Sequence, residues 1–228
     1  VLSLTGNNGL ATGAETITIT PKDGSSIFNL AGVAMAADAT TGPLYLNDTM
    51  PPTITATSVS YLTDTTVQLN FNSNEAGTYY YLVYGIEDPA PDAVTIKDQG
   101  TAYAKGSGAA LVDANTVDVV GLVADTGYKA YLIVEDAEGN LSEVATFTIA
   151  PVPTITGATL DEDNYYIAVT FSEPVYGDAS ATTGIDKDDF IVTFAQNDGG
   201  VVSGASIRMV YNHLNATPVG GETEFKLF

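Results

Sequence analysis

The sequence predicts an all-β protein built from tandem β-sandwiches, and three observations support this fold class. Short stretches alternate apolar with hydroxyl or amide residues, as in Thr16-Ile17-Thr18-Ile19-Thr20 and Val67-Gln68-Leu69-Asn70-Phe71, which is the pattern of half-buried strands. The composition favours strands, with 13 Tyr against 8 Phe and abundant Thr and Val. No stretch keeps the helical period for three turns, although a short helical turn is expected within 27–37.

An internal repeat sets the size of the domains. Pro52-Thr53-Ile54-Thr55 recurs 101 positions later as Pro153-Thr154-Ile155-Thr156, and the 67–71 strand is matched by Ile167-Ala168-Val169-Thr170-Phe171. A period of about one hundred residues filled with short strands is the size of an immunoglobulin-like sandwich. A proline can open an edge strand, so the prolines at 51–52 and 151 mark domain boundaries.

The other strands follow in order along the middle of the chain. Alternation or β-branched content predicts strands at 116–120, 128–134 and 145–149. The run Tyr79-Tyr80-Tyr81-Leu82-Val83-Tyr84 is apolar on both faces, which predicts a central position in a sheet. It also suggests a stacking platform for sugars, but packing in the core is the more common use of such a strand.

The charge balance restricts the partners. The chain has 7 basic and 28 acidic residues, a net charge of −21. Such a chain repels nucleic-acid phosphates and anionic membranes, and no apolar run approaches the length that spans a bilayer. Clustered carboxylates suit divalent cations, calcium above all, although the charge also serves solubility. The absence of Cys excludes disulfides and thiolate metal sites.

Motifs in the chain resemble those of extracellular repeat domains. Gly121-Leu122-Val123-Ala124-Asp125-Thr126-Gly127-Tyr128, followed by Asp136-Ala137-Glu138-Gly139-Asn140-Leu141-Ser142, resembles a fibronectin type III-like domain. Ile167 to Val175, with the predicted strand at 190–192 after Asp188 and Asp189, is similar to the start of a bacterial Ig-like domain of S-layer proteins and giant adhesins. Residues 18–27 look like the end of such a domain.

These resemblances imply three parts: the C-terminal half of an Ig-like domain at 1–50, a fibronectin III-like domain at 51–150, and the N-terminal half of an Ig-like domain at 151–228. The chain begins and ends within predicted strands, so we expect incomplete sandwiches at both ends. A neighbouring repeat or subunit would complete them. The residues expected to take part in this assembly are Val1, Leu2, Leu4, Phe225, Leu227 and Phe228.

Acidic loops are the candidate metal sites. Loops at one end of a sandwich converge, which predicts calcium binding by Glu173, Asp178, Asp188 and Asp189. Asp48, in the linker, is expected to join Glu135 or Asp136 at a second site that stiffens the joint. None of these groups has the spacing of an EF-hand loop. The alternative is that each carboxylate is a solvated turn residue.

The sequence lacks the combinations of residues that form the common kinds of active site. The single His, His213, lies in a polar turn, and with no Cys present a nucleophilic triad or zinc site is nearly excluded. The many carboxylates lack the Trp residues and cleft-forming insertion expected of a glycosidase. We therefore expect that the chain is not an enzyme.

Together these features predict a structural repeat unit of an extracellular filament, stalk or surface layer at the cell surface. Its expected partner is itself, with glycans as a second class of partner and calcium as the cofactor. Two other functions remain open: a segment of a cell-surface adhesin, and a carbohydrate-binding or spacer module of a secreted enzyme.

Overall fold

The computed structural model describes residues 4–228. In that range it has thirteen strands, the helix α1 (Ala93–Lys97) and short 3₁₀ turns at Asn7–Gly9 and Lys187–Asp189. No helix in the described part of the chain is long and apolar enough to cross a membrane. The strands are β1 Thr16–Ile17, β2 Leu44–Tyr45, β3 Ile54–Tyr61, β4 Thr66–Ser73, β5 Gly77–Gly85, β6 Ala104–Ala110, β7 Asp113–Val120, β8 Tyr128–Glu135, β9 Ala145–Ile149, β10 Ile155–Leu160, β11 Ile167–Val175, β12 Val210–Asn212 and β13 Glu222–Leu227.

The chain divides into two compact units. The first consists of Val1–Leu122 with Tyr128–Ile149, and the second of Val123–Gly127 with Ala150–Phe228. The first unit therefore contains both the segment 1–50 and most of the predicted domain 51–150. The second unit contains all of the segment 151–228.

Two antiparallel sheets form a sandwich in the first unit. One sheet has the order β3-β4-β7 and the other β6-β5-β8-β9. Because side chains alternate across a strand, β4 directs Val67, Leu69 and Phe71 into the core between the sheets. The alternating pattern at 67–71 thus predicted both the strand and its buried face, and the all-β fold class is confirmed.

The tyrosine-rich strand β5 lies between β6 and β8, the central position predicted from its two apolar faces. Tyr81 and Val83 belong to the core between the two sheets. On the opposite face, Leu82 packs in a second buried cluster that includes Ile96 of α1. Both faces of β5 are therefore used for packing.

Two glycines of β6 make room for the tyrosine rings of β5. A Cβ atom added at Gly106 would lie 2.8 Å from Cε1 of Tyr81, and one at Gly108 would lie 2.6 Å from Oη of Tyr79. Interiors are packed too densely to absorb such overlaps without movement. Residues without a side chain are therefore needed where the rings cross β6.

Residues 4–50 form little regular structure. The strands β1 and β2 are two residues each and pair antiparallel, with Thr16 opposite Tyr45. The strand predicted at 16–20 is therefore reduced to its first two residues. The helical turn predicted within 27–37 is wrong, because the chain there folds back through a bridge between Phe28 and Ala34.

The second unit contains one four-stranded antiparallel sheet, in the order β10-β11-β13-β12. Val169, Phe225 and Leu227 lie in its apolar core. On β10, Ile155 and Leu160 pair with apolar residues of β11 and so share that face, yet each is 60% exposed. The apolar face is covered over β13 and open toward β10.

Residues 190–209 have the sequence of two strands but contain no assigned strand. The strand predicted at 190–192 is therefore wrong. A turn closes between Asn197 and Gly200, and Ile191 and Val201 on either side of it are almost fully exposed. A strand requires a neighbour that supplies the other half of its hydrogen bonds, and this segment has the turn of a hairpin without a paired ladder.

Candidate functional site

Three carboxylates from distant parts of the first unit converge on one place, the acidic cluster of Asp48, Asp136 and Glu138. Each residue brings a carboxylate oxygen to within 4.8 Å of the others, and no other acidic or histidine group of this size meets that condition in residues 4–228. A polar cavity of about 610 Å³ borders Asp48 and Glu138. The structure thus brings together two of the predicted ligands, Asp48 and Asp136, and adds a third.

Asp136 is fixed by the turn that follows β8. Its Oδ1 accepts hydrogen bonds from the main-chain N–H groups of Glu138, at 2.9 Å, and Asn140, at 2.8 Å. Gly139 permits the turn because its φ of 91° is in the left-handed region. Asp136 is only 9% exposed, so its position is set by the fold and not by solvent.

Asp48 reaches the cluster from the segment before the sandwich. Its Oδ1 accepts a hydrogen bond from the N–H of Met50 at 2.8 Å, and its main chain forms a bridge with Thr12. Glu135, the other predicted partner of Asp48, is directed elsewhere. Its Oε1 lies 2.5 Å from Nζ of Lys97, and its other carboxylate oxygen accepts from the hydroxyl of Tyr80 at 3.2 Å.

A fourth carboxylate, Glu75, lies close enough to the acidic cluster for the charges of the cluster to shift its pKa. Burial raises the pKa of Glu75, and the negative charges of Asp48, Asp136 and Glu138 raise it further. Sequence reasoning missed Glu75, which precedes β5 with no local signal that connects it to residues 48 or 136. Glu138 stands out in the sequence as part of the same acidic loop as Asp136, but it was not among the predicted ligands.

The acidic cluster has the spacing and chemistry that suit a hard divalent cation. Two oxygens bound to one calcium ion at 2.3–2.6 Å lie at most about 5 Å apart, so a separation within 4.8 Å allows all three carboxylates to share one ion. Calcium takes about six to eight oxygens, so carbonyl groups or water would complete the set. The concentrated negative charge would also favour a cation over an anion.

The other predicted ligands do not form such a group in the described residues. Asp189 accepts a hydrogen bond from the N–H of Asp186 at 2.8 Å, which closes the 3₁₀ turn there. Asp188 forms an ion pair with Lys187. These carboxylates stabilise their own turn.

Asp178 and Glu173 also have local environments of their own. Hydrogen bonds from the hydroxyl groups of Thr183 and Thr182 lower the pKa of Asp178 to about 2. Glu173 has one buried carboxylate oxygen, Oε1, without a hydrogen-bond partner. Burial raises the pKa of Glu173, and the charge of Asp125 adds to the effect.

The predicted assembly residues divide into three groups. Val1 and Leu2 lie outside the described residues, and Leu4 is partly exposed. Phe225 and Leu227 are buried, and β13 is paired on both sides by β11 and β12. Both edges of β13 are therefore paired inside the unit, and the part that Phe225 and Leu227 take in assembly stays a prediction.

An apolar cavity of about 450 Å³ lies beside the end of β13. Leu227 and Phe228 contribute to its wall, together with Tyr165 and Tyr166. The Phe228 ring packs edge-on against Tyr165, with ring centroids 5.3 Å apart. Two of the residues expected to take part in assembly, Leu227 and Phe228, thus form part of a cavity wall.

Comparisons with known proteins give little information. No family model and no curated protein matches the chain. Among solved structures it is similar to a chitinase, ChiA74 from Bacillus thuringiensis, at 18% identity and a TM-score of 0.35, over 82% of this chain and 28% of that chain. The chain thus spans just over a quarter of that protein, and a similarity this low carries no conclusion about function.

Proposed function

We propose that the chain is a structural repeat unit of an extracellular filament, stalk or surface layer, which joins head to tail with adjacent repeats or subunits. The observation that supports this best is the single sheet of the second unit, whose apolar face is open toward β10. The first unit covers the equivalent face with a second sheet. The internal repeat relates the two units in sequence.

Apolar surface in contact with water is unfavourable in free energy, and association between copies removes such surface from water. Burial contributes roughly 25 cal/mol for each Å² of apolar surface removed from water, and large exposed apolar patches commonly mark interaction sites. Residues 4–50 also expose apolar side chains, including Ile19, Leu44 and Tyr45. Contact between two different surfaces of identical copies produces an open polymer when the rotation does not close. That geometry suits a filament or layer.

Calcium at the acidic cluster is part of this proposal. Asp48 lies in the segment before the sandwich, whereas Asp136 and Glu138 lie in its β8–β9 loop. An ion shared by the three carboxylates would fix that segment against the sandwich and remove the repulsion among them. The expected result is a stiffer first unit in calcium than without it.

The mass of the chain in solution tests the function. Light scattering over a range of concentrations should show a mass that rises above 23.7 kDa, and electron microscopy should show filaments or layers. A mass of 23.7 kDa at every concentration, with both units folded by circular dichroism, would contradict the proposal that the chain assembles by itself.

A carbohydrate-binding role is the second candidate. A small cavity of about 340 Å³ is lined by Tyr84, Asp88, Pro89 and Pro91. An aromatic ring next to a carboxylate offers both a stacking surface and a hydrogen-bond acceptor for a sugar. Glycan-array binding that Tyr84→Ala abolishes would favour this role. Absence of binding to any glycan would leave the structural role as the better explanation.

A further inference from the structure

We draw no further inference here: the strongest candidate, the apolar cavity of about 450 Å³ beside the end of β13 in the second unit, belongs to an uncovered apolar sheet face, and nothing in the structure shows what covers it.

Discussion

The side-chain amide of Asn140 donates a hydrogen bond to the main-chain oxygen of Asp48 at 3.4 Å, across 92 positions of sequence. The same amide donates to Oδ2 of Asp136 at 2.8 Å. One side chain therefore connects the segment before the sandwich to the loop after β8. It does so at the acidic cluster, where Asp48, Asp136 and Glu138 bring carboxylate oxygens within 4.8 Å of one another.

Replacing Asn140 should loosen residues 4–50. Asn140→Ala removes both hydrogen bonds, one of them to a carboxylate, and should lower the free energy of unfolding by about 1–2 kcal/mol. Compared with the unmodified chain, the variant should show faster amide hydrogen exchange at residues 4–50 and a smaller change in the sandwich. The control is Asn70→Ala, whose amide bonds within its own sheet to Ser60. Equal protection of residues 4–50 in both variants would contradict the role given to Asn140.

The glycines of β6 allow a direct test of the sandwich. Gly108→Ala would place a Cβ 2.6 Å from Oη of Tyr79, so the ring must move, and the cost should be about 1–3 kcal/mol by urea unfolding. The adjacent Ser107→Ala changes an exposed position of the same strand and should have little effect. Equal stability of the two variants would mean that β5 and β6 do not pair in this register.

The strands were predicted correctly from the sequence where the local pattern of apolar residues alone determines the structure. The alternation at 67–71 and the two apolar faces of 79–84 correspond to β4 and β5 because burial follows directly from side-chain spacing. The same reasoning failed at 190–192. Those residues have strand character, but a strand also requires a paired neighbour, and the pattern of a segment cannot show whether one is present.

The candidate site was predictable only in part for a similar reason. Asp48 was singled out as a linker carboxylate that could stiffen the joint together with Glu135 or Asp136. The grouping of Glu173 with Asp178, Asp188 and Asp189 rested instead on the convergence of loops at one end of a sandwich. It did not account for local turns, in which Thr183 bonds Asp178 and Lys187 pairs with Asp188.

Calcium should raise the melting temperature of the first unit through the acidic cluster. At a calcium concentration one hundred times the dissociation constant, binding adds about 2.7 kcal/mol, which corresponds to about 5 °C or more. Glu138→Gln should weaken binding about tenfold, because fewer charged ligands lower calcium affinity. Isothermal titration calorimetry and melting with and without a chelator provide the measurements.

The matched control for that variant is Glu143→Gln, an exposed glutamate further along the same connection. It should bind calcium as the unmodified chain does. If Glu138→Gln and Glu143→Gln give the same melting temperatures in calcium, the cluster is not the site. If neither calcium nor a chelator changes any melting temperature, calcium has no part in the function.

Glu75 should make the stability of the first unit depend on pH when calcium is absent. Its pKa is raised above the ordinary value of 4.5 by burial first and by the charges of Asp48, Asp136 and Glu138. Below pH 4.5 the Glu75 carboxyl is protonated in both the folded and the unfolded states, and it does not lower the free energy of unfolding. As the pH rises through the pKa of the folded state, the folded protein must ionise a buried group beside other anions, and the free energy of unfolding falls.

Glu75→Gln should therefore be more stable than the unmodified chain at pH 7 in calcium-depleted buffer, and the difference should shrink at pH 4. Urea unfolding at the two pH values measures it, with the exposed Glu87→Gln as the control. In saturating calcium the advantage should decrease or reverse, because the cation then neutralises the cluster. A difference that is the same at both pH values and unaffected by calcium would show that Glu75 does not act through its charge.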